Sequence, residues 1–563
     1  MLVPYALSKA EQKTCFHEAL RRQRFPWLER PGYVTPATLG RVDALSGASC
    51  PASIGSTRKV FLMVADWIGL VGILAGLGLL ITLAYRGWSV LLVGPAAALV
   101  AAAIAGEPLL ASWTQTFMSG AAGFVAQFFP LFLLGALFGK LMDDSGSALS
   151  IAHVLTRALG SEHAILAVVI ACALLTFGGI SLFVVAFVVV PVAAALFRRA
   201  EIPHRLIPAT VALGAFTFTM TAMPGTPAIQ NAIPMPWFGT TPFAAPGLGL
   251  IAAAIMLLFG LWWLGRVAAQ ARRRGEGYRT TPESVAIGEP SGTNVRSAAD
   301  PAEDRLLRER VSTTDVFDPA ECEHGQRSTQ QPHFALAVLP MVVVVLTNLL
   351  MSLAVLPWLD TDFLAEAAWG STSLAAVGGI WSVATALLAG ILTLIAVNLR
   401  RLTALRASMN AGANASVLPV MNTASMVGFG AVIAAVPAFE LVSAAFLSLD
   451  GGPLVSLAVA TNVIAGITGS ASGGLMITLQ ALGETYAELA SAAGIDPELM
   501  HRVAAIASGG LSSLPHNGAV VTLLAIAGVG HKGSYRDIAV VMLGGTLIAL
   551  VAIISIGQVF GSF

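Results

Sequence analysis

The sequence predicts an all-α polytopic membrane protein. It consists of two inverted-topology repeats, each of five transmembrane spans plus one re-entrant hairpin, with broken helices at the midplane. Three observations predict this: the composition, the spacing of the apolar stretches, and the distribution of positive charge. The chain has 563 residues, of which 56% are hydrophobic and 11% charged, and a mean hydropathy of +0.79. Those values are far from a soluble protein's. Thirty-one basic and thirty-one acidic residues cancel, so no global field attracts nucleic acid. Cys15, Cys50, Cys172 and Cys322 form no CxxC pair, so neither a disulfide framework nor a thiolate zinc site is indicated.

A span needs about 20 mainly apolar residues to cross roughly 30 Å of hydrocarbon. In chain order the first five run from Trp67 to Tyr85, Trp88 to Gly106, Gly123 to Met142, Leu206 to Ala232 (interrupted by Pro224 and Pro227) and Pro246 to Val267. The second five run from Phe334 to Leu356, Thr372 to Val397, Ala411 to Ala438, Val503 to Val529 and Ile538 to Val559. Two further apolar stretches, Ala164 to Phe197 and Pro453 to Leu482, are broken at their centres. The breaks read Thr176-Phe-Gly-Gly-Ile-Ser181 and Thr468-Gly-Ser-Ala-Ser-Gly-Gly474.

Short cytoplasmic loops are enriched in Lys and Arg. Arg86, Arg198, Arg199 and Arg205, Arg272 to Arg274, Arg400, Arg401 and Arg406, and Lys532 with Arg536 are therefore assigned inside. Glu107, Asp360, Asp362, Glu366, Glu440 and Asp450 fall outside. One threading satisfies these assignments, and it requires both broken stretches to enter and leave on the same side. Residues 63–267 and 333–563 become the two transmembrane repeats. Residues 268–332, polar and rich in Gly, Pro, Ser, Arg and Glu, read as a cytoplasmic linker. The basic stretch 1–62 reads as a tail outside the transmembrane body, either disordered or a start-site artefact, with Met63 as an alternative start. The threading leaves this tail outside, against its charge.

The halves carry features at matching spacings. Gly178 and Pro224 lie 46 positions apart, as do Gly469 and Pro515, and the halves are offset by 291. The Pro-containing breaks are Met223-Pro-Gly-Thr-Pro-Ala228 and Leu514-Pro-His-Asn-Gly-Ala519. A non-helical backbone in hydrocarbon leaves amides and carbonyls unpaired at several kcal/mol each, so it survives only inside protein or beside a water-filled cavity. Secondary transporters use such breaks, arranged by an inverted repeat, to build a midplane site. Half-helix N-termini suit a carboxylate and freed carbonyls a cation. The residues thus point to an anion site made without a dedicated arginine.

The candidate substrate-binding residues are Thr176, Gly178, Gly179 and Ser181 in the first hairpin, and Thr221, Gly225 and Thr226 in the first broken helix. Thr468, Ser470 and Ser472 in the second hairpin and Asn517 in the second broken helix complete the set. Gln230, Asn231, Asn422, Thr423 and Asn462 are further polar groups in or beside the breaks. His516 is the histidine within a broken span, and an imidazole titrates near physiological pH, so it is the candidate for proton coupling. Each has a plainer account: a structural hydrogen bond for His516, turn chemistry before Gly518 for Asn517, interhelical bonding for the hydroxyls. Lys140, Asp143 and Asp144 read as a charge cluster at loop level, and Gly135 with Gly139 as a GxxxG packing pair. Gly135 to Lys140 lacks the Walker spacing, so ATP coupling has no support.

The chain resembles the gluconate:proton symporter (GntP) family of permeases, within the wider ion transporter superfamily, over essentially all of Trp67 to Phe563. The resemblance is carried by Phe128-Phe-Pro-Leu-Phe-Leu-Leu-Gly-Ala-Leu-Phe-Gly-Lys140 with Asp143, Asp144 and Gly146. Ile467-Thr-Gly-Ser-Ala-Ser-Gly-Gly474 and Ile506-Ala-Ser-Gly-Gly-Leu-Ser-Ser-Leu-Pro-His-Asn-Gly518 complete it. It implies uptake of a small organic acid, such as gluconate or another sugar or hydroxy acid, driven by protons across a bacterial inner membrane. Related carboxylate carriers have Asn and Thr at the hairpin tips; these tips lack that pair, which argues against a sodium site. The expected partners are a small carboxylate, protons rather than Na+, the lipid bilayer and, as an option, further copies in a homo-oligomer. No cofactor is expected. An anion channel or facilitator is the alternative. An intramembrane hydrolase using Ser472 and His516 lacks any GxSxG or HExxH motif.

Overall fold

The computed structural model describes residues 52–86, 88–278, 328, 330–515 and 517–563. The N-terminal tail to residue 51, most of the central linker and His516 lie outside the described residues. Residues 1–63 form one unit and Val64–Phe563 another. The second unit carries the apolar helices.

Its described residues are helical, joined by turns and short irregular stretches, and six helices are long and apolar enough to cross a membrane. The first helix, α1, spans Ala52–Tyr85 and is followed by α2, Val90–Ala105. Helix α3, Leu109–Asp144, has 36 residues. At 1.5 Å per residue it is about 54 Å long, well beyond the hydrocarbon thickness. A turn of π-helix at Ser112–Phe117 and Pro130 interrupt its regular bonding. α4 is Ser147–Leu159.

The first broken stretch forms α5, Ala164–Phe177, and α6, Leu182–Arg199. Helix α5 ends because Gly179 takes a left-handed φ of +94°, which a side chain resists. The second broken stretch behaves alike. α14, Gly452–Thr468, ends at Gly469 with φ +62°, and α15, Ala471–Ala492, starts at once under a cap in which Ser470 Oγ accepts from Gly473 N at 3.1 Å. In both stretches the two arms pack against each other.

The Pro-containing stretches break where the prolines predict, but unequally. α7, Ile207–Ala215, is followed by a single turn at Phe218–Thr221, a loop through Gly225, single turns at Ile229–Ala232 and Met235–Phe238, and only then by α8, Pro246–Arg273. In the second half α16, Pro497–Ser508, passes through a 3₁₀ turn to a nine-residue helix, Gly518–Ile526. The remaining helices are α9, Phe334–Trp358; α10, Leu374–Asn398; α11, Leu405–Ala415; α12, Val417–Ala435; and α13, Phe439–Leu447. Gly518–Ile526 is α17, and α18 is His531–Phe560.

Helix α12 lies between α2, α3 and α15, and the apolar part of the run Leu405–Ala435 that α11 and α12 form is 61% buried against 28% for α9. It is therefore central, and α9 faces outward. Small residues allow the central contacts: a side chain at Gly94 would meet Ser425, and one at Gly428 would meet the Phe117 carbonyl. Close approach between small residues is how membrane helices gain van der Waals contact.

Lys140, Asp143 and Asp144 are not a loop-level cluster. They are 2–3% exposed, and Lys140 Nζ sits 3.1 Å from Asp144 Oδ1. Distant parts of the chain pack over the end of α3: Gly412 of α11 lies against Leu137 and Lys140, Ser328 N donates to the Asp144 carbonyl, and Ser150 Oγ donates to the Pro332 carbonyl.

At the end of α8, Arg205 joins Glu276 (Nε to Oε1, 2.7 Å) and Asp537 (Nη1 to Oδ2, 2.9 Å), while Trp263 Nε1 donates to the same Asp537. Beside it the His204 ring packs edge-on against Tyr278. Burial, and secondarily Arg198, push the His204 imidazole below its ordinary 6.5. The folded state thus binds fewer protons at this site than the unfolded state does as pH falls from about 6.5. Stability contributed by neutral His204 is present above that pH and is lost as pH falls through it, down to the depressed folded value. His204→Gln is expected to flatten the fall in melting temperature between pH 6.5 and 5. An unchanged pH slope would rule out His204 as its source.

Candidate functional site

The four breaks meet in one cavity of about 870 Å³, within the roughly 300–1,000 Å³ usual for small-molecule sites. The first hairpin contributes Thr176, Gly179, Ser181 and Leu182. The first broken helix contributes Pro227, Ala228, Ile229 and Gln230. From the second hairpin come Thr468 to Ser472, and from the second broken helix Ser512, Pro515 and Asn517 to Ala519. Leu131, Gly135 and Ala136 of α3, with Pro419, Asn422 and Thr423 of α12, form further wall.

The local sequence explains this convergence. Breaks in the helical ladder leave backbone groups unpaired, and these groups can sit in the bilayer interior only where polar contacts or a wet cavity receive them. Three helices of nine residues or more begin at the cavity wall: α6 after Ser181, α15 after Ser470 and α17 after Asn517. Asn517 Oδ1 caps α17 by accepting from Val520 N at 3.1 Å. Each N-terminus carries roughly half a positive charge. The carbonyl ends of α5 and α14 reach the same wall at Thr176 and Thr468. Arg86 and His531 are the ionisable groups among the described lining residues, and none of those residues is acidic. Amide ends and basic groups suit an anion, and carbonyls with hydroxyls suit hydroxyl groups on the same molecule.

Seven of the eleven candidate substrate residues line this cavity: Thr176, Gly179, Ser181, Thr468, Ser470, Ser472 and Asn517. Thr176 Oγ1 lies just beneath the surface and finds no hydrogen-bond partner among the described residues. The other four are not brought to the wall. Gly178 packs where a Cβ would strike Met341. Thr221 is fully buried and donates to the Thr217 carbonyl at 3.2 Å. Gly225 turns with φ +77° against Phe243, and its carbonyl accepts from Asn348 Nδ2 at 3.0 Å. Thr226 is 1% exposed and its hydroxyl accepts from Ala228 N. For Thr221, Gly225 and Thr226 the physical reason is shared: the Pro-containing break needs them to close its own turn, which leaves the following residues, Pro227 to Gln230, to face the cavity.

Asn462 acts between elements, accepting from Leu511 N at 3.2 Å. Gly139 approaches Ser181 N, whereas Gly135 opens on the cavity with nothing near it. The GxxxG pair thus has one packing and one cavity-facing member. Sequence reasoning missed the two ionisable wall residues. Arg86 carried a signal only for orientation, so the expectation of a site without an arginine is corrected. His531, whose Nε2 lies 3.1 Å from the Pro515 carbonyl, had no local signal beyond its position ahead of a span.

A family model described as GntP family permease matches residues 68–238. An uncharacterized transporter, YxjC of Bacillus subtilis (strain 168), is 42% identical over 498 residues, covering 87% of this chain and 99% of that protein. The chain belongs to the GntP family of permeases.

The permease is therefore a transporter rather than an enzyme, and a multi-pass protein of the cell membrane. A high-affinity gluconate transporter of Escherichia coli (strain K12) is 34% identical over 139 residues, 24% of this chain and 30% of that protein. Among solved structures, Neisseria gonorrhoeae MtrF aligns with a TM-score of 0.46 at 14% identity, over 81% of this chain and 85% of that one. The Alcanivorax borkumensis YdaH transporter aligns at 0.41 and 17%, over 81% and 91%.

Proposed function

We propose that this permease is a secondary active transporter that takes up a small hydroxy or sugar acid, such as gluconate, together with protons. The observation that carries the reading is the single cavity in which three helix N-termini, Arg86 and His531 meet with no acid among the described lining residues. A carboxylate is favoured at amide ends and cations. A polyol tail needs alternating donors and acceptors, which Ser470, Ser472, Thr468, Gln230 and the carbonyl ends of α5 and α14 supply. The partial relative named for gluconate supports the same substrate class.

In this reading residues 63–267 and 333–563 are opposed repeats joined by the linker 268–332, and 164–197 and 453–482 are re-entrant hairpins. Matched breaks at Gly179 and Gly469, each with left-handed φ, support it. Thr176, Gly179, Ser181, Thr468, Ser470, Ser472 and Asn517 contact substrate. Gly178, Thr221, Gly225 and Thr226 shape the breaks. His516 is the proposed proton-coupling group.

The test is uptake by proteoliposomes holding the purified full chain. Labelled gluconate, and a panel of hydroxy and sugar acids, should accumulate against their gradients and cease to do so when the proton gradient is dissipated. His516→Gln should retain exchange but lose accumulation. Stabilisation of the detergent-purified protein by one acid of the panel should accompany uptake, because a ligand of the folded state raises its melting temperature by mass action. Uptake that only equilibrates, insensitive to the proton gradient, would identify a facilitator instead.

A further inference from the structure

Arg502 is fully buried, the largest side chain so enclosed, and it does not line the cavity. It lies on α16 behind the wall formed by the first broken helix. Its Nε and Nη2 donate to the Ala244 carbonyl at 3.1 and 2.5 Å, and its Nη1 donates to Asn231 Oδ1 at 3.1 Å. Asn231 Nδ2 in turn donates to the carbonyls of Thr226, at 3.1 Å, and Pro242, at 2.9 Å. These carbonyls lie in the irregular stretch between Thr221 and α8. Because the amide nitrogen of Asn231 is occupied as a donor, its oxygen must accept, so His501 Nε2, 3.2 Å away, carries hydrogen. His501 Nδ1 is then the acceptor for the Thr240 hydroxyl at 2.6 Å. Every donor and acceptor in the chain from Thr240 to Pro242 has one consistent direction.

A guanidinium without solvent is costly in a membrane protein and persists there for a reason tied to the site. Here it collects carbonyls that the break has freed, and it ties them, through Asn231, to the residue next in sequence to Gln230. Gln230 faces the cavity. A lysine cannot reproduce this, since the planar fork reaches Ala244 and Asn231 at once whereas an ammonium is a single point.

We propose that Arg502 is a positioning residue for substrate binding: through Asn231 it sets the turn that presents Gln230 and the Pro227–Ile229 backbone to the ligand. The proposal rests on the transport reading for the meaning of that wall, and its test is chosen to stand apart from it. A cysteine is placed by Gln230→Cys or, at the second hairpin's part of the wall, by Ser470→Cys. Each is reacted in detergent with the anionic thiol reagent 2-sulfonatoethyl methanethiosulfonate, with and without Arg502→Lys, and the rate for the protein lacking the added cysteine is subtracted.

The expected result is a change of about tenfold in rate at position 230, on the scale of one lost charge-assisted hydrogen bond, with position 470 within about twofold. Equal rates at position 230 in the two backgrounds, or equal changes at both positions, would overturn the proposal, because a general loosening moves both parts of the wall. Should Arg502→Lys not fold, Asn231→Asp, which keeps the oxygen for Arg502 but removes the donor to Thr226 and Pro242, is run in the same way with the same criteria. In proteoliposomes Arg502→Lys should raise the KM for labelled gluconate with little change in Vmax. If the wild-type protein carries no gluconate, that substrate reading fails while the labelling still decides the role of Arg502.

Discussion

Gly474→Ala is expected to destabilise the folded permease strongly and to lower its yield. A Cβ at this position would meet Cα and Cβ of Ala465 and lie 2.5 Å from its backbone nitrogen. Ala465 is in α14 and Gly474 in α15, so the obstacle is backbone on the facing arm of the second broken stretch, and no rotamer change relieves it. Overpacking of a rigid contact costs about 1–3 kcal/mol and occasionally more. With backbone on both sides the upper end, about 3 kcal/mol, is expected, a large fraction of a typical total stability of about 5–15 kcal/mol. The measurement is the yield and melting temperature of detergent-purified protein. Gly123→Ala is the matched control: no atom lies within 4 Å of its Cβ, and alanine gains up to about 1 kcal/mol of helix propensity over glycine. A Gly474→Ala protein as stable as the Gly123→Ala protein would show that the arms can separate freely.

Asn517→Asp is expected to leave the fold intact and to weaken binding of an anionic substrate severely. Asn517 is 8% exposed, lines the cavity and caps α17 through its side-chain oxygen. Aspartate caps as well as asparagine does, and its charge suits a helix N-terminus by about 0.3–1 kcal/mol. Melting temperature should stay level or rise slightly. The same charge would be the first acid among the described lining residues. Two like charges about 4 Å apart repel by about 4 kcal/mol at an effective dielectric near 20, so affinity for an anionic substrate should fall at least about 100-fold. An unchanged KM for the transported acid, in a protein of unchanged stability, would remove Asn517 from the substrate site and weaken the anion reading of the cavity.

Much of the helix order was legible in the sequence because it depends on local quantities. Long apolar runs, prolines at 224, 227 and 515, and glycines at 178, 179 and 469 place helices and breaks without reference to distant parts of the chain. Seven of the candidate residues line the cavity for the same reason: a hydroxyl or amide beside a break has few other uses inside a bilayer. Gly178 had the same local signature yet packs against Met341, and Thr221, Gly225 and Thr226 had it too, yet the structure commits them to closing the turn. Only the path of the chain from Gly225 to Pro242 separates the two roles.

Arg502 and His501 show a further limit. On sequence they sit in a helix-compatible run with no apparent site, one turn after Glu498 and well before Pro515. Their partners, Asn231, Thr240 and Ala244, lie more than 250 positions earlier. No periodicity or spacing could link them. Lys140, Asp143 and Asp144 are the converse: a polar string at the end of a span reads as loop, and it is buried by parts of the chain far away in sequence, Gly412 of α11 and residues 328 and 330–332 among them.

The sequence by itself determined the class of the protein, its helical make-up, the location of all four breaks and the polar residue types available at them, whereas, of the ten spans it suggested, six described helices are long and apolar enough to cross a membrane; hydrophobic composition and backbone permissiveness are properties of neighbouring residues. The tertiary structure decided that the four breaks share one cavity, that Arg86 and His531 join it, and that Arg502 stands behind it, because each of these depends on which surfaces of distant helices are buried together.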